Sequence, residues 1–370
     1  MLKFTTIAIA VLVTWSPIPG TAIPIFSHQY DVSCSKCHSV IPHLNEFGAA
    51  FMAEGYRIPG VKPGQAFPVA VKANLVASSE NQGEGPNGAG LPKAIVDEIE
   101  AFTAGGIGSR ASYLIEQYIV DGGTPGLTRD AWVIDRINPW DAKIPLSVQA
   151  GSFTLPLPVD PETFRETAQH YALFDQAVGT NTFNFFDPKI GARLQIGNPL
   201  KGFNAQIFGG QGRERQSGVP SVGTDLMVAL QDNIGPLALS AFRYSGTRPG
   251  SGGPSTFDTF QRTGYGVVWN QWGRLSLENM LVNGNDTDCG IGGACQSSGG
   301  FTQLRYAITR RLFAVSRYEG TMDPVNGFSR NAVLLLGYGP TENSRLTLED
   351  VIAHTPQTTH TMNVQYTIAY

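Results

Sequence analysis

Met362-Asn363-Val364-Gln365-Tyr366-Thr367-Ile368-Ala369-Tyr370, the last stretch of the chain, decides the reading of the fold. Met362, Val364, Tyr366, Ile368 and Tyr370 alternate with Asn363, Gln365, Thr367 and Ala369. A period of two puts one set on each face of a β-strand. The same pattern recurs upstream. Phe67, Val69, Val71, Ala73 and Leu75 alternate with Pro68, Ala70, Lys72 and Asn74. Ile190, Ala192, Leu194 and Ile196 alternate with Lys189, Gly191, Arg193 and Gln195. Leu226, Val228 and Leu230 do so with Asp225, Met227 and Gln231, and Leu304, Tyr306 and Ile308 with Gln303, Arg305 and Thr309.

Alternation alone suits a soluble sandwich as well as a membrane barrel. Three features favour the barrel. Several strands read as about nine to eleven residues, enough to cross an outer membrane when tilted. Aromatic residues recur near strand ends, as interface girdles require: Trp132, Trp140, Trp269, Trp272, Tyr338 and Tyr366. Connections alternate in length. Short turns are expected near 107–109, 138–144, 197–202, 232–236, 271–273, 310–311 and 339–343. Long loops are expected near 80–94, 121–128, 154–188, 210–223, 246–258, 284–299, 321–329 and 355–360. Periplasmic turns and extracellular loops give that rhythm, and it predicts an all-β, antiparallel transmembrane barrel of about sixteen strands with both termini periplasmic. An aromatic final residue, Tyr370, resembles the C-terminal signal of bacterial outer-membrane barrels.

The composition agrees. The chain has 370 residues, 43 of them Gly, with 20 Phe, 12 Tyr and 5 Trp, and only 15% are charged. That mix favours strands and turns over a helical bundle. A net charge of −4 gives no sign of a nucleic-acid partner. Lys3, the apolar run Ile7–Trp15 and Gly20-Thr21-Ala22 read as an export signal over residues 1–22. The run is too short to span a bilayer as a helix.

The polar face should line the lumen, with Lys72, Glu100, Arg193, Asp225, Glu278 and Arg305 among its members. The 154–188 loop is the longest, and Pro161–Ala177 reads as helical in part. It either folds into the pore or caps it from outside. His170, within it, reads as a polar loop residue. Cys289 and Cys295 are expected to form a disulfide, since export places them in an oxidising compartment. Asp286 and Asp288 beside them lack the spacing of a calcium loop.

Before the barrel, Cys34-Ser35-Lys36-Cys37-His38 fits the C-x-x-C-H signature of covalent haem c attachment. Two thiols one turn apart reach the two porphyrin vinyl groups, and His38 then lies under the iron as the proximal ligand. A redox dithiol wants a βαβ setting that is not visible here. A zinc site wants further ligands at regular spacing, and His43 is the only local one. A short helix is expected to follow, with Pro42 in its first turn, Leu44, Phe47 and Phe51 on one face, and Gly55 as its C-terminal cap. The distal ligand stays open between Met52 and His28, with water or a ligand from elsewhere in the chain as further options. Met/His ligation would raise the potential. The haem segment is expected over 23–64 and the barrel over 65–370.

Phe26–Tyr56, with the haem motif followed by Pro42-x-Leu44-x-x-Phe47-Gly48, Phe51 and Gly55-Tyr56, resembles the fused monohaem cytochrome–porins of bacterial outer membranes. That family includes iron-oxidising outer-membrane cytochromes. The resemblance implies thioether attachment at Cys34 and Cys37 and proximal ligation by His38. It leaves the distal ligand undecided. The expected function is electron transfer from an extracellular donor such as Fe(II), through one haem, to a periplasmic carrier protein. As an enzyme the chain would be an Fe(II)-oxidising oxidoreductase. The alternative is a transport porin whose haem segment is a plug or redox sensor, and a soluble β-rich cytochrome is a third.

Overall fold

The computed structural model describes residues 24–61, 64, 69–84, 90–161, 163–211, 224–251, 256–290, 293–325, 327–354 and 358–370. The export signal expected at 1–22, and Phe67, lie outside the described residues. No described helix is long and apolar enough to cross a membrane.

The N-terminal segment holds α1 (Pro24–Tyr30), a 3-10 turn (Cys34–Lys36), the short hairpin β1 (His38–Val40) and β2 (His43–Leu44), and α2 (Glu46–Ala53). The barrel follows with β3 (Ala70–Glu84), β4 (Gly90–Ile107), β5 (Ala111–Asp121), the two-residue β6 (Thr124–Pro125), β7 (Thr128–Arg136), β8 (Leu146–Phe153), β9 (Lys189–Asn198) and β10 (Lys201–Gln211). A four-residue helix, α3 (Ala172–Asp175), lies between β8 and β9. Then come β11 (Asp225–Ile234), β12 (Leu237–Pro249), β13 (Phe257–Trp269), β14 (Leu275–Asp286), β15 (Cys295–Ala307), β16 (Leu312–Asp323), β17 (Gly327–Tyr338), β18 (Ser344–His354) and β19 (Thr358–Ala369).

Strands β3 to β19 form one closed antiparallel barrel. With β6 counted as a hairpin extension of β5, sixteen strands make the wall among the described residues, as the alternating turns and loops predict. The seam joins first strand to last. Tyr366 faces Leu75 across it, and Val71 and Tyr370 exchange both main-chain hydrogen bonds, at 2.5 and 2.7 Å. Several strands are longer than expected: β12, β13 and β15 each have 13 residues, so the wall extends into the long-loop side.

Burial parity shows what the wall separates. In β18, Arg345, Thr347 and Glu349 are at most 4% exposed, while Leu346 and Leu348 between them are 42% and 48% exposed. In β19, Asn363 and Gln365 are buried and Met362 and Val364 are outside. Polar groups inside and leucines outside is the reverse of a soluble protein, and it suits a wall surrounded by hydrocarbon. Lys72, Glu100, Arg193, Asp225, Glu278 and Arg305 all belong to the inward row. Trp269, Trp272 and Tyr338 are exposed at the short-turn end, as a girdle requires. Trp132 is not. It shares parity with Ile134, faces the lumen and stacks on Tyr56 at 6.0 Å. Where both rows of a strand carry apolar residues, alternation does not say which row is inside.

Two segments occupy the lumen. At the short-turn end, Ser35 Oγ donates to Glu342 (3.2 Å), Arg57 donates to the Gly108 carbonyl, and Glu54 pairs with Arg136 (2.9 Å). Val40 packs with Phe313, Val315 and Leu335. From the other side the 154–188 segment folds inward. Glu166 pairs with Arg305 (2.7 Å), and Arg317 donates to Thr167 Oγ1 and to the carbonyls of Gln169 and His170, each at 2.9 Å. The amides of Ala168 and Gln169 donate to Glu349 (2.9 and 3.0 Å), and that of Ala172 to Glu319 (3.1 Å). These bonds explain why the helix expected over Pro161–Ala177 shrinks to Ala172–Asp175. Amides and carbonyls that a helix would pair internally are held by wall side chains instead.

Leu348→Arg, on the lipid face, should destabilise the folded barrel by about 2–4 kcal/mol, the penalty for a cation near the bilayer midplane. Thr347→Ser, its inward neighbour, should be close to neutral. Reversible denaturant unfolding in lipid vesicles measures both.

Candidate functional site

The five-residue motif is a tight backbone turn held from several sides. The Cys37 amide donates to the Cys34 carbonyl (3.0 Å) across the 3-10 turn. Asn45 clamps the turn: Nδ2 donates to the carbonyls of Ser35 and Lys36, both at 3.1 Å, and its amide donates to Cys37 O (2.8 Å). Asn45 Oδ1 also accepts from the Gly48 amide (3.0 Å), which makes Asn45 the N-cap of α2. This cap corrects the expected helix start. Pro42 and Leu44 precede it, and Leu44 sits in β2 rather than on the helix face. Gly48 packs α2 directly on the turn, where a Cβ would overlap the Cys37 carbonyl oxygen. The helix ends as expected at Gly55, whose φ of +66° permits the Schellman pair Gly55 N–H to Met52 O (3.0 Å) and Tyr56 N–H to Phe51 O (2.7 Å).

Cys34 and Cys37 are buried and not disulfide-bonded. Burial pushes the Cys37 thiol up to about 11 and, with the Glu342 carboxylate adding to it, the Cys34 thiol to about 12. Neither is the poised thiolate of a redox dithiol. Among the described residues no three His, Cys, Asp or Glu side chains converge as a metal site would need.

His38 Nδ1 lies 3.0 Å from the Pro42 carbonyl oxygen. A carbonyl only accepts, so Nδ1 carries the hydrogen and Nε2 carries the lone pair. Burial pushes the imidazole down to about 4, so the ring is neutral at pH 7. A neutral imidazole with one nitrogen tied to a backbone carbonyl is the state in which histidine ligates metals.

His38 borders a cavity of about 370 Å³ between the N-terminal segment, the 154–188 segment and the wall. Met52 borders the same cavity, with Ile41, Leu44, Tyr56, Phe102 and Trp132 as apolar lining. His28 is exposed on α1 and does not line it. His43 is buried nearby, with Nδ1 3.0 Å from Ser39 Oγ and its ring against Phe164, outside the lining. His170 bonds Asp175 (3.1 Å). The donor set fits a c-type haem: an imidazole lone pair, a thioether and apolar side chains border one cavity, and two thiols one turn apart immediately precede the imidazole in the chain, outside the lining.

Of the other expected residues, Lys72, Glu100 and Arg193 line the same cavity, Lys72 and Glu100 as an ion pair (2.7 Å). Asp225 pairs with Arg248 (3.0 Å) and Glu278 accepts from Gln303 (2.9 Å), outside that lining. Cys289 and Cys295 form a disulfide with Cα atoms 6.2 Å apart. Asp286 is held by Arg262 (2.7 Å), and Asp288 by Ser251 (2.8 Å). Sequence reasoning missed Asn45, although an Asn just before a helix is a readable cap. It also missed Arg317, Arg345 and Glu349, whose roles depend on which face points inward.

No family model matches the chain, and no curated protein matches it. Among solved structures it resembles an anion-selective porin from Comamonas acidovorans (TM-score 0.60, 13% identity, 82% of this chain and 98% of that one). It also resembles OmpF of Salmonella typhi in complex with daunomycin (0.57, 10%, 82% and 97%) and the outer-membrane channel DcaP of Acinetobacter baumannii (0.54, 11%, 82% and 96%). At these identities the likeness establishes the fold: a porin-like barrel of the outer-membrane type.

Gly48→Ala should force α2 off the motif turn. In protein made without haem, a maleimide reagent should label Cys34 and Cys37 severalfold faster in the variant than in the parent chain, as read by mass spectrometry.

Proposed function

We propose that this chain is an outer-membrane electron-transfer protein that carries one haem c in the lumen of a porin-like barrel. The observation that carries the reading is His38 and Met52 bordering one cavity lined by apolar and charged side chains, with the buried Cys34–Cys37 turn directly before His38 in the chain. In this reading residues 1–22 are a cleaved export signal, 23–64 the haem segment and 65–370 the barrel, with both termini periplasmic. Membrane lipid surrounds the wall.

Cys34 and Cys37 would provide the thioether links, His38 the proximal nitrogen and Met52 the distal sulfur. A bound haem supplies a one-electron carrier whose potential Met/His ligation raises. The protein's own groups do the positioning. Pro42 O fixes the His38 ring, Asn45 and Gly48 hold the attachment turn against α2, and Ile41, Leu44 and Trp132 would give the ligands apolar neighbours. The hydrocarbon core is about 30 Å thick, so a single haem does not wire across it. An extracellular donor, for which Fe(II) is the suggested substrate, must approach from within the barrel. A periplasmic carrier protein would take the electron at the short-turn end.

A second reading is a solute porin with the haem segment as plug or redox sensor, and the barrel fold shared with porins favours it. Two measurements separate the readings. Stopped-flow mixing with Fe(II) should reduce the haem, and planar-bilayer recordings should give little conductance. Large conductance with no reduction, in a protein of high midpoint potential, would establish the porin. Separately, Met52→Ala should abolish the red-edge methionine–iron charge-transfer band and lower the midpoint. If the parent protein lacks that band, Met52 is not the distal ligand.

A further inference from the structure

Most buried arginines of the lumen have a carboxylate. Arg248 pairs with Asp225, Arg262 with Asp286, Arg305 with Glu166, Arg317 with Glu319 and Arg165 with Glu98. Arg345 does not. It stands on β18, 4% exposed, and borders the cavity shared by His38 and Met52. Its Nη2 donates to the neutral groups Gln365 Oε1 (2.9 Å) and Thr367 Oγ1 (3.4 Å). Its Nε and Nη1 have no acceptor.

Of the carboxylates around Arg345, Glu98 accepts from Arg165 and Asn74, Glu349 from two loop amides and Asn363, and Glu166 from Arg305 through Oε2, but none of them takes a hydrogen bond from Arg345. The Arg165 guanidinium, within electrostatic reach, adds a like charge, and it too borders the cavity. A buried guanidinium with unused donors beside a second cation is costly unless an anion completes it. An anionic acceptor in the cavity that Arg345 borders would complete it.

We infer that Arg345 is the carboxylate anchor of the cavity, receiving a propionate of the covalently attached haem through its unused donors, with Arg165 as the second positive charge. This rests on the haem reading of the chain. A charge-assisted bond from the wall would tie a group attached to the N-terminal segment to the barrel, about as strongly as twice a neutral hydrogen bond. It would also tune the potential. A cation beside the haem disfavours the more positive oxidised form, and it keeps the propionate ionised to lower pH.

The test uses the full-length, haem-loaded protein purified from membranes. Haem content is read by the pyridine haemochrome spectrum, and the midpoint is measured across pH. Arg345→Met should keep its covalent haem. Its midpoint should fall relative to the parent, and the pH at which the midpoint begins to climb on acidification should move upward. Arg345→Lys should return both readouts toward the parent values. Arg330→Met, which removes one exposed charge outside the cavity lining, should change neither. If Arg345→Met does not accumulate, Arg345→Gln serves the same comparison. A haem-loaded variant with the parent's midpoint and pH profile would overturn the anchor and leave the haem reading standing. A parent midpoint that shifts on adding acetate would also overturn it, because the guanidinium would then be open to free carboxylates. A parent chain without covalent haem would overturn both.

Discussion

Between Val71 and Tyr370 two main-chain hydrogen bonds close the sheet on itself, and everything else in the molecule depends on that closure. Backbone amides and carbonyls facing hydrocarbon have no water to bond, so a sheet in a bilayer can have no free edge. Once the ring is shut, each strand has one row toward lipid and one toward the lumen. Leucines such as Leu346 and Leu348 then cost nothing outside, and Arg345 and Glu349 must find partners inside.

The filling of the lumen is a consequence. An inward row rich in arginine and glutamate leaves many charges needing partners, and the 154–188 segment supplies a share of them. Arg305 finds Glu166, and Arg317 finds loop carbonyls. Removing one member of such a buried pair typically costs about 3–5 kcal/mol, because the other is left charged and alone. The wall thereby holds the segment extended and inward. The N-terminal segment, too short to bury much surface by itself, gains its support from the opposite mouth through Glu342, Arg136 and Gly108. Between the two insertions lies the cavity that His38 and Met52 border.

How legible was this in the sequence? The barrel and its strand number were, because a period-two pattern with alternating short and long connections suits few architectures besides an up-and-down sheet closed on itself. The turn expected at 339–343 falls between β17 and β18, and those expected at 107–109 and 232–236 overlap the observed connections at 108–110 and 235–236. The N-terminal motif was legible as residue types and spacing. Its local geometry was less so. Pro42 and Leu44 suit a helical turn, yet the Asn45 cap starts the helix after them. The inward aspect of Trp132 was illegible, since Ile134 and Val133 in neighbouring rows are equally apolar.

The sequence by itself determined the closed sheet, the Cys34–Cys37–His38 spacing and the glycine at position 55. These follow from short-range rules: side-chain alternation, the reach of a single turn and the left-handed backbone that favours glycine. Only the tertiary structure decided that His28 is exposed while Met52 borders the cavity, that the long segment runs inward, and that Arg345 lacks a carboxylate. Each of these joins residues far apart in the chain. Their positions are set by barrel closure and by the pairing of buried charge, which no local pattern encodes.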